Sequence, residues 1–143
     1  MGAGALALLL GVIAYAALVN RPADNAYASG ANDACAVVQR SEGRVDLGRT
    51  LTRGELQRAL NIRLQALGAI RALERPELDD VMASGFLSAF GETNASITRL
   101  ERAIGSGGHE VSRAVRSLRG DVKDERELAG RAGIAGCGGL AIR

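Results

Sequence analysis

Three observations predict an all-helical protein behind an apolar N-terminal segment. Residues 1–20 carry no charged side chain, the residues after Ala31 repeat apolar side chains at helical spacing, and no run of four alternates as a half-buried strand does. The 143 residues suffice for one domain and one further segment. The expected architecture is all-α: a transmembrane or signal-anchor helix at 1–20, a linker at 21–31, an antiparallel up-down four-helix bundle at 32–137 whose first helix is short, one closing disulfide, and a tail at 138–143.

The first segment is read from its length and its lack of a polar face. At ~1.5 Å per residue, 18 to 20 helical residues reach about 27 to 30 Å, one hydrocarbon core. Within 2–19 only Tyr15 carries a polar tip, so no face is wetted and a lipid bilayer is the expected partner of residues 1–20, a wholly buried helix being the other reading. Ala26-Tyr27-Ala28 has the small-x-small form that signal peptidase cuts, which leaves a secreted, cleaved chain as the alternative. Arg21, Pro22 and Asp24 intervene and no Lys or Arg precedes the apolar run, which favours a retained anchor. Small residues at Gly4, Ala7 and Gly11 would let that anchor pack closely on partner helices. A literal positive-inside count, resting on Arg21, points the body to the cytoplasm; two distant cysteines suit an oxidising compartment, and the body is expected outside the cytoplasm.

Each helix of the body has its own signals. The first is expected from Asn32 or Asp33, both good caps, to about Glu42, with Gly43 and Gly48 marking a loop. Thr52-Arg53-Gly54-Glu55 is a capping-box pattern that opens the second, and Leu56, Leu60, Leu64, Leu67, Ile70 and Leu73 form its expected apolar stripe. Pro76 ends it and opens the third, with Glu77, Asp79 and Asp80 where a helix dipole favours negative charge. Leu78, Met82, Phe86, Phe90, Ile97, Leu100 and Ile104 are expected on one face of the third, and Gly105-Ser106-Gly107-Gly108 stops it. Val111, Val115, Leu118, Val122, Leu128 and Ala132 line the fourth, which dissolves at Gly133 and Gly136.

Short connections make successive helices antiparallel, and that places Cys35, at the start of the first, beside Cys137, after the fourth. They are expected to form a disulfide closing a loop of about 100 residues, which removes roughly 4 to 5 kcal/mol of unfolded-chain entropy. The other reading is two buried free thiols acting as small apolar residues.

Composition excludes several classes. Net charge is +2, too balanced for a dedicated nucleic-acid binder, and no nucleic-acid partner is expected. One histidine, His109, and two cysteines provide no metal-ligand spacing, and no metal or other cofactor is expected. There is no nucleophile elbow and no phosphate-cradling Gly-rich loop followed by Lys and Ser or Thr, so no enzyme is expected. The carboxylates of Glu74, Glu77, Asp79 and Asp80 read as a helix start and solvated turn. Seventeen of the 18 basic residues are Arg, and those at Arg99, Arg102, Arg113, Arg116, Arg119 and Arg126 are candidate contacts to an anionic surface. Asp121, Asp124, Glu125 and Glu127 interrupt that run, so a mixed-charge solvated face is the plainer reading. Asn94-Ala95-Ser96 has the form of an N-glycosylation acceptor.

An apolar N-terminus, an Arg- and Ala-rich helical body and bracketing cysteines ending Cys137-Gly138 resemble the uncharacterised small exported helical proteins of GC-rich bacteria such as actinobacteria. The resemblance covers the whole chain in style and implies an envelope location and no known activity. A fainter likeness is to viral fusion subunits, with a Gly/Ala-rich apolar N-terminus before helical repeats. The expected function is a membrane-anchored extracytoplasmic module that binds a protein partner, as an accessory or structural subunit of an envelope complex. The alternative is a secreted bundle, cleaved near Ala28, that carries a small apolar ligand. The sequence leaves oligomeric state open.

Overall fold

The computed structural model describes residues 25–40, 45–75, 80–139 and 142. Four α-helices follow in order: α1 (Asn25–Gln39), α2 (Arg53–Arg71), α3 (Asp80–Ala103) and α4 (Gly108–Arg131), then a short 3-10 turn, Ala135–Cys137. Helices adjacent in sequence pack against each other, and α3 and α4 meet along most of their length. Gln57 bonds Glu101 and Arg63 bonds Asn94, so α2 and α3 run antiparallel; Ser96 meets Asp121 while Gly85 faces Leu128, so α3 and α4 do too. The apolar segment 1–20 lies outside the described residues, and among the described residues no helix is long and apolar enough to cross a membrane.

The capping box forms as its spacing requires. The Glu55 amide donates to Thr52 Oγ1 at 3.2 Å, and the Thr52 amide and hydroxyl donate to Glu55 Oε2 at 2.9 and 2.8 Å. These bonds, that from the Thr52 hydroxyl first, hold the Glu55 carboxyl below its ordinary range. Other boundaries depart from expectation. Residues 25–31 are not a linker: they are the first turns of α1, which is thus fifteen residues long. Tyr27, Ala28 and Ala31 repeat at helical spacing and are buried, and Gly30 brings the α1 backbone onto Leu73, whose Cδ2 would lie 3.0 Å from an added Cβ. Burial of that face outweighs the poor helix propensity of Gly30. At the other end α2 closes at Arg71 with Ala72 as its C-cap, before Glu74, because the Leu73 amide already turns back to the Ile70 carbonyl. The expected start of α3 at Pro76 falls on residues 76–79, outside the described ones.

Of the expected tail, residues 138, 139 and 142 are described, and they pack on the body. Gly139 is buried, and Ile142, 3% exposed, makes an isolated parallel bridge to Val45. Gly138 and Gly139 allow this approach: a Cβ on Gly139, whose φ is +68°, would fall 2.3 Å from Arg126 Nε. Ile142 packs with Val45 and Val122 in one apolar cluster, and burial of that side chain holds it on the body.

Two apolar clusters make up the core. One gathers Tyr27, Cys35, Ile70, Phe86, Phe90 and Ile134; the other gathers Val45, Leu56, Ile97, Leu100, Leu118 and Ile142. Between them the helices are polar inside.

Candidate functional site

The polar layer is built from one side chain of each long helix. Arg63 on α2 and Glu125 on α4 are both completely buried, and Asn94 on α3 lies beside them. The guanidinium grips the carboxylate with two bonds, Nη1 to Oε1 at 3.2 Å and Nη2 to Oε2. Its Nε donates to Asn94 Oδ1 at 2.5 Å, and its central carbon sits 4.0 Å over the Phe90 ring. The Gly139 amide completes the carboxylate, donating to Glu125 Oε1 at 3.0 Å. Opposite charges with satisfied donors are the condition under which a buried pair is tolerated. This layer is closed to solvent, so it orders the helices and offers no surface to a ligand.

Sequence reasoning passed over both residues, although a signal existed. Arg63 interrupts the spacing Leu56, Ala59, Ala66, Ile70, and Glu125 interrupts Leu118, Val122, Ala129, so each places a charge inside an apolar stripe. Opposite signs in two such stripes point to a buried pair.

The cysteines meet as the bundle geometry requires: Cys35 and Cys137 form a disulfide with Cα atoms 5.3 Å apart across 102 residues. Polar contacts pin the same seam. Asn32 Nδ2 donates to the Gly133 carbonyl at 3.1 Å, the Gly136 amide donates to Asn32 Oδ1 at 3.0 Å, and Gln39 Nε2 donates to the Gly136 carbonyl at 2.6 Å.

The six candidate arginines are not all brought together. Arg99 turns back onto its own helix, donating to Ser96 Oγ at 2.5 Å with Asp121 at 3.8 Å. Arg113 lies 3.5 Å from His109 Nδ1 in the first turns of α4, where His109 is an exposed helix-start residue. Arg102 and Arg116 are exposed, and Arg119 donates to the Leu47 carbonyl at 3.3 Å. Arg119 and Arg126 line a cleft of about 350 Å³ together with Lys123, which was not among the candidates. Asp46, Leu47 and Gly48 form the facing wall, and Val122 and Ile142 form the apolar base.

Asn94 and Ser96 are buried within α3, with the Asn94 oxygen bonded to Arg63, so the acceptor sequence faces inward in the folded body. Among the described residues no group of three His, Cys, Asp or Glu side chains is placed to hold a metal ion. Among the described residues, fold and site define a class: a disulfide-closed helical body with a sealed polar layer and a cation-lined cleft. No protein-family model, curated protein or solved structure matches the chain.

Proposed function

We propose that this protein is a membrane-anchored, extracytoplasmic helical module that binds a protein partner in the cell envelope and does not catalyse a reaction. The Cys35–Cys137 disulfide carries the reading, because a buried bridge joining the two ends of a small helical body is at home in an oxidising compartment. The charge-free run at 1–20 supplies the tether, long enough to cross one bilayer as a helix. Retention of that run is favoured over cleavage by the burial of Tyr27 and Ala28, since a cut after Ala28 would strip both from the core. The ordered termini of the bundle make a rigid body whose role is to present surface, in keeping with an accessory or structural subunit.

The test is a combined assay of pairing and sidedness. Cells producing the full chain are acid-quenched, denatured and alkylated with and without reductant, while wall-stripped intact cells are treated with protease. The reading expects both cysteines to label only after reduction, the body to be digested without lysis, and the intact chain to stay with membranes through an alkaline wash. Labelling without reductant together with protection until lysis would place the body in the cytoplasm and overturn it.

A further inference from the structure

The cleft between α4 and the turn at 46–48 gathers positive charge that no ion pair among the described residues neutralises. Arg119, Lys123 and Arg126 are spaced i, i+4 and i+7, which at ~100° per residue puts all three within a sector of about 60° on one face of α4. Like charges at that spacing destabilise a helix unless something of opposite sign lies beside them. In the sequence, four acids of the same helix provide that balance. In the fold three of them point elsewhere: Asp121 to Ser96, Glu125 to the buried Arg63, and Glu127 to Arg131 at 2.7 Å. Arg49, Arg53, Arg63, Arg99 and Arg131 all lie within 4 Å of carboxylates. Among the described residues Arg119, Lys123 and Arg126 have no such partner.

Their placement is prepared as well as unneutralised. Arg119 is tied by one Nη2 bond to the Leu47 carbonyl and Arg126 by one Nη2 bond to the Ile142 carbonyl, which anchors each guanidinium to a different wall and leaves its other N–H groups to donate. Arg126 also lies against the backbone of Gly138 and Gly139, where any side chain would displace it. Lys123, the only lysine of the chain, stands between them. Asp46 is the one acid of the lining, and its Oδ1 already accepts the Gly48 amide at 2.8 Å. Three cations against one acid leave an excess of two positive charges beside an apolar base of Val122 and Ile142.

We propose that this cleft binds a phosphate monoester group, a dianion whose charge matches that excess and whose oxygens accept from two guanidinium forks and one ammonium. Two sources present the same chemistry, a soluble phosphate compound and the headgroup of phosphatidic acid in a bilayer. The proposal rests on the cleft alone and holds whichever side of a membrane the body occupies, so its failure leaves the extracytoplasmic reading standing and the converse is also true.

Lys123 provides the assay, because one lysine gives one side-chain amine to follow. The full oxidised chain in nonionic detergent is acylated with an amine-reactive ester, and modification of Lys123 is timed by peptide mass spectrometry. Inorganic phosphate is titrated against chloride at matched ionic strength, and in a second arm the micelles carry phosphatidic acid or phosphatidylcholine. Saturable slowing by phosphate in both arms identifies a phosphate site open to soluble ligands; slowing by phosphatidic acid alone identifies a headgroup site. Arg119→Gln weakens the protection by about tenfold or more, the worth of a charge-assisted hydrogen bond, while Arg113→Gln, outside the cleft, leaves it unchanged. Arg119 is exposed, so the variant keeps the fold, which a thermal melt verifies. Equal slowing by chloride and phosphate, no slowing in either arm, or equal loss in the Arg113 variant would overturn the proposal.

Discussion

At one end of the bundle Phe86 and Phe90 stack edge to face, 5.6 Å apart, against Tyr27, Ile134 and the buried disulfide. At the other end Leu56, Ile97, Leu100 and Leu118 pack with no aromatic ring, and the Val45–Ile142 bridge and the Thr52–Glu55 cap close the chain around them. Arg63, Asn94 and Glu125 lie where the two clusters meet, each between residues of both: Ala59 and Ala66, Phe90 and Ile97, Val122 and Ala129. A chain with only two Phe and no Trp thus concentrates its bulk and its covalent bond in one half, and leaves the other to aliphatic packing and local caps. The polar layer keeps the halves in register, since a slip of α2 by one turn would carry Arg63 about 5.4 Å from its carboxylate.

The comparison is broken most severely by removing the disulfide. Replacing both cysteines by serine is expected to cost about 4 to 5 kcal/mol by loop-closure entropy, measured by urea unfolding. Hydrogen exchange should show the greater loss of protection at Asn32, Gln39 and Ile134; a loss spread evenly over both halves would mean that the bridge does not belong to one end.

Next comes the layer itself. Glu125→Ala leaves an unpaired buried guanidinium and is expected to cost about 3 to 5 kcal/mol, whereas Arg63→Met combined with Glu125→Met is near neutral in stability. Equal thermal midpoints for the single and double variants would show that the cost comes from lost volume and not from charge.

The smallest effect sharpens the account of the aliphatic end. The Glu55 carboxyl is held below its ordinary range by the Thr52 hydroxyl and amide, so its ionised form stabilises the fold above the unfolded value of 4.5, and that contribution fades as pH falls through the lower folded value. Melting curves of the parent and Glu55→Gln should therefore differ most at neutral pH and converge in acid. A gap that widens on acidification would contradict the sign of the effect.

Much of this was legible because the signals were local. Thr52 and Glu55 are three residues apart, the glycine-rich run from Gly105 separates α3 from α4, and the helices of the described body follow from such cues. The disulfide was legible too, since short connections left a bundle little freedom about which end received Cys137. Phase was not. Leu64, taken as part of the buried stripe of α2, is 49% exposed, while Arg63 beside it is completely buried. The basic candidates misled for the same reason: a run of Arg along the sequence says nothing of which residues turn toward carboxylates, and of the candidates only Arg119 and Arg126 reached the cleft.

The four described helices, the cap at Thr52 and the break after Ala103 were determined in the chain's own order of residues, because each rests on hydrogen bonds or backbone preferences that neighbours within a few positions impose; the pairing of Cys35 with Cys137 followed from the short connections between those helices. The buried Arg63–Glu125 pair, 62 residues apart, the recruitment of residues 25–31 and Ile142 into the core, and the cluster of Arg119, Lys123 and Arg126 were decided only on packing. A helix presents several faces of similar polarity, and which of them loses its water is chosen by partners far away in the chain.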